Sequence, residues 1–391
     1  MASGYKFPIL DSAGVTTSTV VDFDDMFVPQ ELFLNSGLWA WGNNAASIGQ
    51  LGLGDGVNRS SPVQVGTLTN WKEVAGGKYH NAAVKIDGTL WSWGYNNWGQ
   101  LGLGNITARS SPVQVGTLTN WKLVASGGYF ATGIKTDGTL WSWGKNNNGQ
   151  LGLGNTANRS SPVQVGSLTD WKLVAGGGYH TAAIKNDGTL WSWGYNSTGG
   201  LGLGDYDYRS SPVQVGTLTN WKLVTGGKYH TAAIKTDGTL WLWGKNNYGQ
   251  LGLNDIAIRP SPVQVGTLTN WKLVVCGSYF TMGIKTDGTL WSWGYNNWGQ
   301  LGLGDTTDRS SPVQVGALTN WKQVVGGVAY TTGIKTNGTL WSWGMNIVGQ
   351  LGLGDTTAYS SPVQVGTLTN WKLVSSGGYH TEGIQAPDLP I

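Results

Sequence analysis

A chain of 391 residues ordinarily divides into two or three domains, but a motif that returns at a 50-residue spacing makes this one a repeat protein, because a single repeat cannot bury its own apolar face. Charged residues are only 12% of the chain, about half the usual share, while 23 Trp and 15 Tyr beside 63 Gly argue for a packed interior and exclude a disordered chain. A net charge of +3 excludes a strongly basic nucleic-acid binder, and the single Cys276 excludes an internal disulfide.

Residues 1–35 differ in composition from everything after them. They hold four of the six Phe (Phe7, Phe23, Phe27, Phe33) and no Trp, and five acids (Asp11, Asp22, Asp24, Asp25, Glu31) against Lys6. They lack a basic region followed by an apolar run, so no signal peptide is expected, and no stretch of the chain approaches the roughly 18 apolar residues of a membrane span. The expected product is made in the cytoplasm. The run from Val20 to Leu34 carries more apolar side chains than a short segment can bury, which makes Phe23, Met26, Phe27, Val28, Leu32 and Phe33 a candidate docking segment. It docks either on its own repeats or on another protein, a second copy included.

Residues 36–385 hold the repeats, and 386–391 form a short tail. The motif begins at Leu38, Leu90, Leu140, Leu190, Leu240, Leu290 and Leu340. In each repeat LWSWG alternates as a strand, with Trp91 and Trp93 on one face. A long Gly-rich connection leads to a strand PVQVG whose Pro suits a strand start or an edge. Then come WKLVA and, after a GG or GK bend, YHTAAIK. Asp-Gly joins that strand to the next LWSWG, as at Asp187-Gly188, which predicts a tight mirror-image hairpin turn with positive φ at both central positions.

Four antiparallel strands repeated seven times predict an all-β, seven-bladed β-propeller. The chain enters at a third strand, GLWAWG, and ends with a first and a second, WKLVSSGGYHTEGIQ, so strands from both chain ends are expected to close the ring and remove its open edges.

The pattern DGTLWSWGxNxxGQLGLG, then a Pro-Val strand, then WKxVxxGxYHTxAIK, resembles the repeat of the regulator of chromosome condensation family over about residues 37–385. That resemblance implies a seven-bladed propeller. It says much less about activity: members include a chromatin-bound exchange factor for a small GTPase, a secreted bacterial β-lactamase inhibitor and many bacterial or viral proteins. The exchange factor's insertions and basic tail have no counterpart here. The short, Phe-rich, acidic leader resembles the start of tailed-bacteriophage structural proteins.

Most of the chemistry in the repeats reads as packing. GQLGLG precedes a Pro-marked strand instead of a helix, unlike a phosphate-binding loop. His80, His180, His230 and His380 share a position with Phe130, Phe280 and Tyr330, as an aromatic packing site would. No catalytic constellation, metal site or cofactor is implied. Arg59, Arg109, Arg159, Arg209, Arg259 and Arg309, with Tyr359 in the seventh place, are expected to bond carbonyls of a neighbouring loop or to form an anion-binding crown. The basic surplus outside the leader, 23 basic against 16 acidic residues, is spread as single residues, so no basic cluster is expected.

Individuality lies in two loop windows, one beginning at Tyr95 and its equivalents, the other following LGLG. The candidate binding loops therefore centre on Tyr95, Trp98, Lys145, Tyr195, Tyr206, Tyr208, Lys245, Tyr248, Tyr295, Trp298 and Met345. Aromatics amid Asn, Asp and Thr suit protein surfaces or sugars; neutral drift in permissive loops would give the same variation. The expected function is a non-catalytic binding or structural propeller: a phage virion component attached by its leader and presenting its loops for host contact or assembly, alternatively a free bacterial binding or inhibitory protein, and third an exchange-factor-like regulator.

Overall fold

A computed structural model describes residues 33–45 and 48–387. Of the candidate docking segment only Phe33 falls among these residues; Phe23, Met26, Phe27, Val28 and Leu32 lie outside them. Within the described residues, 28 strands form seven four-stranded sheets. In the first complete blade, β3 (Trp71–Gly76) is innermost, followed by β4 (His80–Lys85), β5 (Leu90–Gly94) and, outermost, β6 (Arg109–Gln114). Five further blades repeat this order. The seventh is built from both ends of the chain, in the order β2 (Arg59–Gln64), β1 (Gly37–Gly42), β28 (His380–Gln385), β27 (Trp371–Ser376). Its seam is fully registered, from Gly37 opposite Gln385 to Gly42 opposite His380. The expected fold and closure are both present.

Tryptophan packing holds each blade. Trp71 meets Trp91 and Trp93 edge-on at 5.9 and 6.2 Å, and the equivalents repeat around the ring. Blades are joined by the same residues: the Trp143 Nε1–H donates to the Gln100 carbonyl of the preceding blade at 3.0 Å. Gly102 sits beneath that indole at φ +71°, where a Cβ would lie 3.0 Å from Trp143 Nε1, so the first glycine of LGLG serves backbone conformation and close approach at once. Seven buried Asn at the Asn96 position order the long connection. Asn96 Nδ2 donates to the Asn105 and Thr107 carbonyls, and its Oδ1 accepts from the Leu101 N–H.

The Asp-Gly turns differ from expectation. Only the glycine has positive φ, +76° at Gly88, while Asp87 does not. Gly88 N–H bonds the Lys85 carbonyl, and Asp87 Oδ1 accepts from the Thr89 N–H and hydroxyl. A side chain that caps the turn this way favours an ordinary turn followed by a left-handed Gly over the mirror-image form.

The histidine position packs as expected and also links blades. His180 Nε2 pairs with Thr231 Oγ1 at 2.9 Å, His230 with Thr281 at 3.1 Å, and His380 with Asn81 Oδ1 at 3.0 Å. His80 faces Ala131 instead, and neither of its ring nitrogens has a partner in hydrogen-bonding geometry. Ala131→Thr is therefore expected to stabilise the protein by about 1 kcal/mol, a rise in Tm of about 1–3 °C by calorimetry. Thr already fits this site in five other blades. A lowered Tm would mean that the added methyl and hydroxyl strain the His80 seam.

Candidate functional site

Because the strands antiparallel one another, each blade has two ends. The turns between inner and second strands (Gly77–Tyr79 and equivalents) and the long connections after the third strands share one face, called upper here. The Asp-Gly turns and the connections leading to the inner strands share the lower face, where Ile86 N–H bonds the Asn70 carbonyl.

On the upper face the seven inner turns are bonded head to tail around the axis. Lys78 N–H donates to Gly128 O at 3.1 Å, Gly178 to Gly227 at 3.0 Å, Lys228 to Ser278 at 3.2 Å, and the circle closes from Gly378 to Gly77 at 3.1 Å. A Cβ on Gly128 would stand 2.6 Å from the Gly178 carbonyl, so the turns pass closely there. Where Lys78, Lys228, Ser278 and Val328 take the same position, the bond persists at 3.1–3.2 Å with a side chain present. The circle surrounds an axial cavity of about 180 Å³.

The last residue of each turn is Tyr in six blades: Tyr79, Tyr129, Tyr179, Tyr229, Tyr279 and Tyr379, all half-buried, with Ala329 in the remaining place. Neighbouring rings associate, Tyr179 on Tyr229 at 5.4 Å and Tyr79 on Tyr379 at 6.3 Å. The turn carbonyl then accepts from the first residue of the variable window, Tyr95 N–H to Tyr79 O at 2.9 Å and Lys145 N–H to Tyr129 O at 3.0 Å. This bond brings the windows into a second tier. Tyr95 meets Tyr129 at 6.1 Å, Tyr195 meets Tyr229 at 5.4 Å and Tyr208 at 5.0 Å, and Tyr248 bridges Tyr279 and Tyr295 at 5.5 and 4.9 Å.

Four ammonium groups lie among these rings. Lys145 Nζ is 4.7 Å from Trp98 and 5.4 Å from Tyr129, and Lys245 is 5.3 Å from both Tyr229 and Tyr279. Lys228 Nζ donates to the Tyr279 hydroxyl at 2.9 Å, and Lys78 lies 5.1 and 5.3 Å from Tyr79 and Tyr129. Burial would pull the Lys78 ammonium down, but the Tyr129 hydroxyl and the surrounding phenols hold it above its ordinary value. Burial and neighbouring tyrosines raise the Tyr229 phenol, so the crown presents neutral hydroxyls beside cations. Such a surface offers flat apolar faces with donors at their edges.

The sequence-derived candidates divide accordingly. Tyr95, Trp98, Lys145, Tyr195, Tyr208, Lys245, Tyr248 and Tyr295 join the crown. Tyr206 and Trp298 stand in solvent, 52% and 39% exposed, without a ring partner among the described residues. Met345 is a correction: it is buried, bonded through its N–H to the Ala329 carbonyl, where a missing tyrosine ring leaves room for a flexible side chain. The arginines correct another expectation. They bond within their own loop, Arg209 Nη2 to Asp205 Oδ2 at 2.6 Å and Nη1 to the Asp207 carbonyl at 3.0 Å. With each fork folded back, often onto a carboxylate, they form no anion-binding crown. Tyr359 takes the same role through its hydroxyl, 2.8 Å from Asp355 Oδ2.

Sequence reasoning missed the six crown tyrosines because they belong to the constant part of the repeat. The available signal was alternation: in GGKYH the histidine is buried, so its predecessor must point away from the core. Cys276 is buried, its thiol pushed up to about 12 by burial, as an inert residue would be. Among the described residues no group of His, Cys, Asp and Glu could hold a metal, and no helix is long and apolar enough to cross a membrane.

A sequence model of the regulator of chromosome condensation (RCC1) repeat matches residues 35–84, 87–134, 137–184, 187–234, 237–284, 287–334 and 337–382. Among solved structures, yeast RCC1 (Prp20) in its complex with Kap60 superposes with a TM-score of 0.82 at 19% identity, over 99% of this chain and 96% of that one. Prp20p from Saccharomyces cerevisiae, a structure described with its binding to Gsp1p and histones, gives 0.82 at 19% identity over 95% and 96%. Human WBSCR16 gives 0.80 at 21% identity, over 90% and 100%. At these identities the likeness concerns the fold.

Proposed function

This chain belongs to the regulator of chromosome condensation (RCC1) repeat family, and from that premise we propose that it is a non-catalytic binding propeller whose upper crown receives a partner protein. The carrying observation is that six blades each deliver a tyrosine to one circle, with Lys78, Lys145, Lys228 and Lys245 among the rings. Aromatic residues with a polar tip are the side chains that dominate protein interfaces, contributing about 2 kcal/mol or more each when central. The ammonium groups stand at the rings, whereas the carboxylates of the same long connections, such as Asp205 and Asp207, face Arg209, so a partner with an acidic, partly apolar surface fits the crown. An exchange-factor role draws only on fold likeness to yeast Prp20.

The double variant Tyr129→Ala, Tyr229→Ala tests this. Proteins retained by the wild-type chain in affinity capture are expected to fall at least 10-fold, while retention survives in the lower-face control Leu118→Ala. An unchanged set of retained proteins would remove the crown from consideration. A finer reading, a virion component held by residues 1–35, rests on the composition of those residues; neither the family match nor the structural relatives support it. Co-purification of the chain with virions that a leader-substituted chain fails to join is the result it requires.

A further inference from the structure

The lower mouth of the ring holds a feature that even spacing in the sequence conceals. Each inner strand begins Trp-Lys, giving Lys72, Lys122, Lys172, Lys222, Lys272, Lys322 and Lys372. These lysines occupy the irregularity between Trp71 and Glu73 and its equivalents, so each is a bulge residue at the lower end of the strand closest to the axis. Cyclic symmetry therefore turns one lysine per repeat into a ring, against the expectation of no basic cluster. Lys172 and Lys222, from adjacent blades, line a single lower-face cavity of about 360 Å³ together with Lys185 and Asp187. Farther round, Lys322 lies close enough to Lys372 and Lys272 that, after burial, their charges pull its ammonium below the ordinary value.

The chain itself enters the propeller at this mouth. Asn35 N–H donates to Asn70 Oδ1 at 2.8 Å, and the Ser36 hydroxyl bonds the Trp71 carbonyl at 2.7 Å, one residue from Lys72. Phe33 is buried in the apolar cluster that contains Trp71. The 32 residues before it are thereby tethered beside the ring, and they carry five acids, once Glu31 and Asp11 are counted with Asp22, Asp24 and Asp25, against one lysine. At about 3.3–3.6 Å per residue, the chain from Phe33 can span about 26–29 Å to Asp25 and about 7 Å to Glu31. Asp22, Asp24 and Asp25 therefore have the longer reach toward the ring, and Glu31 stays near the Lys72 side of it.

We propose that the lysine ring is a docking site for an acidic peptide segment, and that its occupant is this chain's own leader, through Asp22, Asp24, Asp25 and Glu31. The leader then covers the lower mouth and leaves the upper crown as the face open to partners. The proposal does not depend on the crown reading, since it concerns the opposite face.

Carbodiimide coupling of the full-length chain, which joins carboxylates to amines in contact, tests it when a 1:1 mixture of 15N-labelled and unlabelled chains is digested and analysed by mass spectrometry. The expected products join Asp22, Asp24 or Asp25 to Lys272, Lys322 or Lys372, or Glu31 to Lys72, within one chain. Their yield should fall at least five-fold in 1 M salt, where screening shortens to about 3 Å. It should fall as far in the variant Asp22→Asn, Asp24→Asn, Asp25→Asn, Glu31→Gln, which leaves every repeat residue intact. Links only between labelled and unlabelled chains would mean that a second copy is the occupant. Leader links confined to Lys145 or Lys245, or no link to the ring, would overturn the proposal.

Discussion

Ending the chain after Asn370 is expected to abolish the cooperative fold. The deletion removes β27 and β28, and with them the buried side chains of Trp371, Leu373, Val374 and Ile384. Each large core side chain lost costs about 2–5 kcal/mol, so four of them match or exceed the roughly 5–15 kcal/mol that holds a typical domain together. The damage does not stop at the seventh blade. Gly76 N–H loses the Ser375 hydroxyl at 2.9 Å, Gln323 Nε2 loses the Val374 carbonyl at 2.7 Å, and Asn81 loses His380. β1 and β2 would remain as an unsupported hairpin with Leu38 and Trp41 uncovered, a marginal structure and an exposed edge. Size-exclusion chromatography and near-ultraviolet circular dichroism should show aggregate and loss of the tryptophan signal, and residues 371–391 supplied as a co-expressed segment should restore both. A truncated monomer with the same sharp melt would show that the ring does not need its seam.

Period decides what was legible. A repeat of 50 residues with fixed LWSWG and Pro-Val segments fixes four strands per blade and the offset of the two chain ends, and both are observed. The turn type was misjudged because the Asp87 cap on Thr89 competes with the conformation that Asp-Gly permits when nothing caps it. Function was sought in variation, which singled out Tyr95, Tyr195 and Tyr248, residues that stand in the crown, but passed over Tyr79 and its five equivalents. The lysines at Lys72 and its equivalents were dismissed because they are scattered along the chain. Both errors have one cause: in a linear repeat, even spacing disperses residues, whereas in a closed ring it makes them converge on an axis. Met345 shows the converse, since its burial depends on Ala329, a residue 16 positions earlier whose side chain is small.

Stability is expected to peak near pH 6.5 and to fall on both sides for two separable reasons. Burial lowers the imidazoles of His80 and His230 to about 3 and that of His180 to about 4, from an ordinary 6.5. Below pH 6.5 the unfolded chain takes up protons that the folded chain refuses, so stability falls with pH by about 1.4 kcal/mol per pH unit for each histidine, a loss that ends only near pH 3–4. Glu73 works in the other direction. It replaces the usual Leu on the inner strand, and burial raises its carboxyl to about 8 from 4.5, so the folded chain keeps a proton that the unfolded chain releases. Stability from that proton is complete below about pH 4.5 and declines as pH rises toward 8, again by about 1.4 kcal/mol per unit. Between pH 4.5 and 6.5 three histidines outweigh one carboxyl; above 6.5 the carboxyl acts alone. The sequence supplies a replacement for each group. Gln323 occupies the Glu73 position in another blade and donates to the facing Val374 carbonyl, so Glu73→Gln should fit, flatten the alkaline limb and raise Tm most at pH 8. Phe130 and Phe280 occupy the histidine position, and His80 has no partner to lose, so His80→Phe should make the acid limb shallower by one proton. Thermal melts from pH 4.5 to 8.5 measure both slopes. If Glu73→Gln left the alkaline slope unchanged, Glu73 would already be ionised in the folded protein, with a cation beside it that offsets its burial.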